Sequence, residues 1–103
     1  GAGSIICPRA ILTCDIRIGL YCLINLGVTV GHDVMIGDYA TISPQACISG
    51  NVTIGRQAYI GTGAKIREGV TVGDCATVGM GAVVIRDVPD GETWAGNPAR
   101  KIG

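Results

Sequence analysis

An aliphatic residue stands at every sixth position of this chain from residue 6 to residue 84. A fixed short period indicates a repeat architecture whose units stack on one another. An α-helix is excluded, because six residues at about 100° each rotate the side chain by roughly 240°. Strands fit, since residues an even number apart share a face. The pattern therefore predicts a parallel β-helix with these residues inside: Ile6, Leu12, Ile18, Ile24, Val30, Ile36, Ile42, Ile48, Ile54, Ile60, Ile66, Val72, Val78 and Val84.

A longer period groups the hexads in threes. Two positions before each aliphatic residue lies a second column, which is mostly small. Its larger members include four valines at intervals of eighteen: Val34, Val52, Val70 and Val88. Turn-forming residues recur at the same interval, at Asp15, Asp33 and Asn51. Three hexads should therefore form one coil, and each residue should lie about 4.8 Å along the axis from the one eighteen positions earlier.

Length and composition limit the possible classes of protein. A chain of 103 residues makes one domain, and eight basic and eight acidic residues give a net charge of zero. This balance argues against nucleic acid or an anionic membrane as a partner. No leader, long apolar segment or lipidation signal is apparent, so we expect a soluble, cytoplasmic protein. The five cysteines fall in different columns, which argues against disulfides or a thiolate metal site.

The regular repeat ends after Val84, where proline and glycine turn signals follow. We predict a β-helix domain at residues 1–88 and a C-terminal loop and cap at residues 89–103. The cap should fold over the last coil with Trp94 and Ile102 as anchors, because a solenoid end must be covered. At the other end the repeat already runs at Ile6, which leaves open whether a preceding segment or a partner covers it.

The hexads resemble the [Ile/Val/Leu]-Gly-x-x-[Ala/Val]-x signature of the left-handed β-helix acyltransferases over nearly the whole chain. Three runs are most similar to the sialic acid and UDP-amino-sugar acetyltransferases of bacterial glycan synthesis: Gly31-His32-Asp33-Val34, Ile60-Gly61-Thr62-Gly63-Ala64 and Ala95-Gly96-Asn97-Pro98-Ala99-Arg100. The resemblance implies an all-β, single-stranded left-handed parallel β-helix. It also implies a homotrimer with active sites between subunits, with acetyl-CoA as co-substrate and no metal.

The candidate catalytic residues are His32, Asp33 and Gly50. His32 is the only histidine, and the resemblance implies that it is the general base for acetyl transfer to an amine or hydroxyl of a sugar or sugar nucleotide. Asp33 can orient the imidazole, although Asp15 and Asn51 hold the same turn position without such a role. Gly50 lies one coil from His32, and its amide matches the family's oxyanion donor. A plain turn glycine is an equal alternative.

Coenzyme A should lie in a groove between two subunits along the later coils. Glycines expose the backbone for a thin pantetheine arm, and small residues continue the strip, although turn glycines are expected here in any case. Near the end, Arg86, Arg100 and Lys101 can meet the cofactor's phosphates, or can form a solvated basic tail. The predicted cofactor residues are Gly61, Gly63, Ala64, Gly79, Gly81, Ala82, Arg100 and Lys101.

Other functions remain open at this point. A γ-class carbonic anhydrase shares the prism but needs three histidines for zinc, and this chain has one. O-acetylation of serine or a xenobiotic is a rival to the sugar substrate. The protein could also be a non-catalytic β-helix that serves as an assembly subunit. Only the Gly-His-Asp run argues against this alternative. An acyl-enzyme on cysteine is disfavoured, since Cys47 and Cys75 have no histidine at their corners.

Overall fold

The computed structural model describes residues 1–102 and confirms the predicted architecture, a β-solenoid of about five stacked coils. Gly103, the last residue of the predicted cap, lies outside the described residues. The Cα atoms extend over 33 × 20 × 20 Å, and residues 1–102 contain no helix. Consequently none of these residues forms a helix that could cross a membrane.

Each hexad from residue 5 to residue 84 supplies one short strand followed by a turn. The strands have only two residues, because the chain must change direction at every sixth position to close the coil. They are β1 (Ile5–Ile6), β2 (Ile11–Leu12), β3 (Arg17–Ile18), β4 (Leu23–Ile24), β5 (Thr29–Val30), β6 (Met35–Ile36), β7 (Thr41–Ile42), β8 (Cys47–Ile48), β9 (Thr53–Ile54), β10 (Tyr59–Ile60), β11 (Lys65–Ile66), β12 (Thr71–Val72), β13 (Thr77–Val78) and β14 (Val83–Val84). Two strands of three residues follow them, β15 (Thr93–Ala95) and β16 (Arg100–Ile102).

Every third strand belongs to the same parallel sheet, which gives the prism three faces. The first sheet contains β1, β4, β7, β10 and β13, the second β2, β5, β8, β11 and β14, and the third β3, β6, β9 and β12. Ile24 pairs with Ile42, and Ile42 pairs with Ile60, so partners are eighteen residues apart. The predicted coil length is therefore confirmed, and equivalent residues lie above one another.

The turns form three corners that run along the prism. Corner 1 joins the first sheet to the second and contains residues 7–10, 25–28, 43–46, 61–64 and 79–82. Corner 2 joins the second sheet to the third and contains residues 13–16, 31–34, 49–52 and 67–70. Corner 3 joins the third sheet to the first and contains residues 19–22, 37–40, 55–58 and 73–76.

The two inner columns form one continuous core. Every aliphatic residue of the six-residue series from Ile24 to Val84 is at most 3% exposed, and the alanines of the small column from Ala40 to Ala82 are at most 1% exposed. Burial of one such aliphatic side chain contributes about 1.5–3 kcal/mol. Ile6, in the first of the described coils, is 49% exposed.

The third residue of each corner adopts the left-handed conformation. At corner 2 the φ angles are 56° for Asp15, 56° for Asp33, 57° for Asn51 and 79° for Gly69. Asp, Asn and Gly tolerate this region better than other residues. The turn role predicted for this column is therefore real, and Asp33 performs it in addition to any contact of its side chain.

The C-terminal segment covers the last coil, but with different anchors from those predicted. β15 adds to the first sheet beside β13, and β16 pairs with β15 in antiparallel fashion. Trp94 packs against the core as expected, whereas Ile102 is 51% exposed, because it lies in the outermost strand. Ala99 is 1% exposed, and its N–H donates to the carbonyl of Val83 at 2.8 Å. Ala99 therefore replaces Ile102 as the second anchor.

Candidate active site

The residues His32 and Asp33 lie at corner 2, in the turn between β5 and β6. The N–H of Asp33 donates to the carbonyl of Cys14 in the coil below, at 3.2 Å. The carbonyl of His32 accepts from the N–H of Asn51 in the coil above, at 2.9 Å. The backbone of the pair is thus held from both sides. Both side chains project outward, with exposed fractions of 53% for His32 and 55% for Asp33.

The two side chains form a direct contact. Nδ1 of His32 lies 3.0 Å from Oδ2 of Asp33. A carboxylate only accepts, so Nδ1 is the protonated nitrogen and donates to Asp33. In the neutral ring Nε2 then carries the free lone pair, which is the form that a general base needs. The structure therefore supports the orienting role predicted for Asp33.

Gly50 lies directly beside the imidazole. A Cβ built on Gly50 would come 2.8 Å from Nε2 and 3.0 Å from Cε1 of His32. No φ in the left-handed region accounts for a glycine here, so the close approach of the ring is the physical reason for it. His32 and Gly50 therefore share one edge, as the eighteen-residue period predicts.

The amide of Gly50 is available as a donor. Its carbonyl accepts from the N–H of Gly69 at 3.1 Å, but its N–H has no acceptor among residues 1–102. At the equivalent turn position of corner 3, the N–H groups of Leu20 and Arg56 donate to aspartate side chains at 2.8 Å. A free amide beside the basic nitrogen is the arrangement needed to stabilise a developing oxyanion.

The electrostatics of corner 2 favour a charged imidazole. The hydrogen bond to Asp33 is the main cause that raises the pKa of His32 above 6.5, and desolvation opposes it. The negative charges of Asp33, Glu68 and Asp15 add to the increase in pKa. Because the ring is half exposed, salt should screen part of this effect.

Asp33→Asn should move the acid limb of the pH–rate profile to lower pH. Asn keeps an acceptor for Nδ1 and suits the left-handed turn, as Asn51 shows, but removes the charge that holds the pKa of His32 up. The same pairing also affects the free energy of unfolding. The contact between protonated His32 and Asp33 stabilises the folded state at low pH, and this stabilisation is lost as the pH rises through the raised pKa of His32. The measurement is kcat/KM against pH at low and high salt. An unmoved limb would contradict the pairing.

The glycines predicted to contact coenzyme A differ in their surroundings. Gly61 is buried, and a Cβ there would come 2.5 Å from the nitrogen of Met80, so this glycine is required by the packing of successive coils. Gly79 faces Ala95 of the cap. Gly63 and Gly81 have positive φ, and nothing lies within 4 Å of a Cβ built on either. These last two leave an open backbone strip along corner 1.

The alanines of the predicted cofactor set have a different place. Ala64 and Ala82 are both 0% exposed, and their carbonyls accept from Cys47 and Lys65 in the neighbouring coil. They belong to the small inner column, so they cannot touch a ligand on the outside of this chain. We therefore reassign both from cofactor contact to core.

The two basic residues of the cap lie on exposed surface. Lys101 Nζ is 3.6 Å from Oε2 of Glu92, and its side chain is 58% exposed. Arg100 donates from Nη1 to the carbonyl of Ala99 at 3.2 Å and is also exposed. Both charges are therefore accessible to a phosphate, although Lys101 already has an anionic partner.

A single chain does not bring the predicted catalytic and cofactor residues together. His32 and Gly50 lie at corner 2, whereas Gly63 and Gly81 lie at corner 1, across the second sheet. A groove of about 360 Å³ on the third sheet includes Arg17, Met35 and Arg56, but His32 does not line it. No sequence pattern predicts this groove, since its lining residues come from separate coils and form no motif.

The cysteines and possible metal ligands add no second site. All five cysteines are free, and Cys22 is buried with Sγ 3.1 Å from the carbonyl of Gly37. Cys75 is exposed and contacts Gln57. Within residues 1–102 no three His, Cys, Asp or Glu side chains are grouped as metal ligands.

The repeats match a known family model. Residues 51–86 match the model described as bacterial transferase hexapeptide (six repeats), and the aliphatic period extends the same pattern to both sides of that segment. In its repeats and its β-solenoid fold the chain is similar to that family. Comparison with curated proteins found no match.

Three solved structures are similar to this chain over nearly its whole length. WeeI from Acinetobacter baumannii AYE is 46% identical, with a TM-score of 0.93, over 96% of this chain and 49% of that one. The acetyltransferase domain of PglB from Neisseria gonorrhoeae FA1090, in complex with acetyl coenzyme A, is 38% identical (TM-score 0.79; coverage 97% and 55%). PerB from Caulobacter crescentus, in complex with CoA and GDP-perosamine, is 31% identical (TM-score 0.74; coverage 97% and 57%). The chain thus spans about half the length of these relatives.

Proposed function

We propose that this protein transfers an acetyl group from acetyl-CoA to an amine or hydroxyl of a sugar or sugar nucleotide. The observation that carries the proposal is the arrangement at corner 2, where Nδ1 of His32 is 3.0 Å from Asp33 and Nε2 faces Gly50. The relatives crystallised with acetyl-CoA or CoA support the choice of donor. The proposal places the reaction in the cytoplasm, where acetyl-CoA is made and used.

The geometry supports direct transfer. The acceptor attacks the thioester carbon, and Nε2 of His32 takes its proton as the new bond forms. The N–H of Gly50 donates to the carbonyl oxygen, which becomes negative in the tetrahedral intermediate. The carbon–sulfur bond then breaks, and His32 returns the proton to the departing thiolate. Asp33 stabilises the imidazolium between these two proton transfers.

A second copy of the chain is needed to enclose this reaction. His32 is half exposed on a single chain, and the open backbone strip at Gly63 and Gly81 lies at another corner. A homotrimer with active sites between subunits allows corner 1 of one copy to face corner 2 of the next. Exposed apolar residues at corner 1, namely Leu26 and Met80, favour burial in such a contact.

The test is release of free thiol from acetyl-CoA in the presence of a panel of acceptors. The panel contains GDP-perosamine, dTDP-4-amino-4,6-dideoxyglucose, UDP-linked amino sugars, free sialic acid, serine and chloramphenicol, so that amines, hydroxyls and a xenobiotic are all represented. We expect thiol release with at least one sugar or sugar nucleotide, together with an acetylated product by mass spectrometry. Thiol release with serine or chloramphenicol alone would show that the acceptor is not a sugar. No thiol release with any member of the panel would favour the alternative that the protein is a non-catalytic assembly subunit.

A further inference from the structure

One further carboxylate, that of Glu68, belongs to the corner that carries the proposed reaction site. Glu68 belongs to the same corner column as His32 and Gly50, one coil above Gly50. The Cα atoms of His32 and Glu68 are therefore separated by two coils, about 10 Å along the axis. Gly50 carries no side chain to fill the space between them. The Cα atoms of His32 and Glu68 thus lie on opposite sides of Gly50, whose amide would hold the acetyl oxygen.

The position of Glu68 is set by a neighbouring turn residue. Nδ2 of Asn51 donates to Oε2 of Glu68 in a long hydrogen bond of 3.5 Å. In the two coils below, the same turn position is Asp15 and Asp33. A carboxylate at position 51 would repel Glu68, whereas the amide donates to it. The turn position therefore changes from Asp to Asn at residue 51, where the side chain contacts the carboxylate of Glu68.

The rest of the Glu68 carboxylate is free to bind a ligand. Oε1 accepts no hydrogen bond from residues 1–102. Arg67 precedes Glu68 and Arg86 follows it in the column, but neither forms an ion pair with it in the described part of the chain. With Asp15 and Asp33 nearby, corner 2 presents three carboxylates around one imidazole. Among them, the unpaired Oε1 of Glu68 can attract a cationic acceptor more strongly than a neutral one.

We propose that Glu68 binds the amino group of the acceptor and so selects an amine over a hydroxyl. This inference rests on the proposed function. The acceptor arrives as an ammonium ion and releases one proton to solvent to become the nucleophile. One remaining N–H donates to Oε1 of Glu68, which aims the nitrogen lone pair at the thioester carbon. As the carbon–nitrogen bond forms, His32 takes the second proton and passes it to the sulfur when the carbon–sulfur bond breaks.

The experiment compares Glu68→Gln with the parent chain on the acceptor panel. Gln keeps the size and an acceptor for Asn51 but loses the charge. We expect KM for the amino sugars to rise roughly tenfold or more, since a charge-assisted hydrogen bond to the substrate is weakened. KM for acetyl-CoA should stay unchanged, and any residual transfer to a hydroxyl acceptor should be unaffected.

Asp15→Asn is the matched control. It removes an equal charge from the same edge, on the side of His32 away from Gly50, so it should shift only the pH profile. An unchanged amine KM in Glu68→Gln, an equal rise in Asp15→Asn, or transfer by the parent chain to hydroxyls alone would each overturn the role of Glu68. In each of those outcomes the protein still transfers acetyl groups, so the proposed function itself would stand. Absence of all thiol release would instead contradict the proposed function, and this inference with it.

Discussion

His32→Ala should lower kcat/KM for acetyl transfer by about 10²- to 10⁴-fold, the usual contribution of a positioned general base. The loss should be in the chemical step, because the ring supplies the nitrogen that takes the proton of the nucleophile. The side chain is 53% exposed, so the fold should not change, and at a pH above the raised pKa of His32 the melting temperature should not change either. Steady-state thiol release and circular dichroism measure the two effects separately.

Two controls test whether the loss of rate is specific to the imidazole of His32. Cys14→Ala alters the exposed residue at the equivalent position one coil below, and it should retain the parent rate. Added imidazole should restore part of the rate of His32→Ala, because the corner is open enough to admit it. A variant lacking His32 that transfers acetyl at the parent rate would end the assignment of the base.

Ile54→Asp should prevent the chain from folding into soluble protein. Ile54 is 1% exposed in the middle of the stack, with Ile36 and Val72 as its partners in the neighbouring coils. The change removes a buried aliphatic group and places a carboxyl where no donor exists, which together cost more than about 4 kcal/mol. Such a loss is comparable to the whole stability of a small domain. The soluble fraction after expression is the measurement.

Thr53→Asp is the matched control for that change. Thr53 is the other residue of the same two-residue strand and faces outward. The aspartate there remains solvated, so the protein should stay soluble and keep its β-sheet spectrum. Equal loss of soluble protein in the two variants would contradict the inward and outward alternation on which the coil depends.

The parts of the structure that repeat were predictable from the sequence, and the parts that occur once were not. The six-residue period predicts that Ile54 is inside, and the eighteen-residue period predicts that Gly50 lies beside His32. Both predictions work because residues separated by one period occupy equivalent places in a solenoid. The cap has no period, so the anchoring role of Ala99 depended on a turn that no pattern revealed. The groove near Arg17 and Arg56 likewise depends on side chains from separate coils.

The candidate site shows the same division. Ala64 and Ala82 were grouped with the turn glycines by their size alone, although their column position already marked them as inner residues. Glu68 was visible in the column of His32, but its contact with Asn51 requires the actual side-chain positions. A column identifies which residues share an edge, whereas the roles on that edge depend on distances of a few ångströms.

A crystal structure of the protein with acetyl-CoA would show directly whether corner 2 holds the thioester. We expect the thioester oxygen to lie about 2.7–3.2 Å from the nitrogen of Gly50. Nε2 of His32 should face the thioester carbon, with corner 1 of a second copy forming the opposite wall. An acetyl group bound instead in the third-sheet groove beside Arg17 and Arg56, or a corner 2 that no other copy approaches, would contradict these expectations.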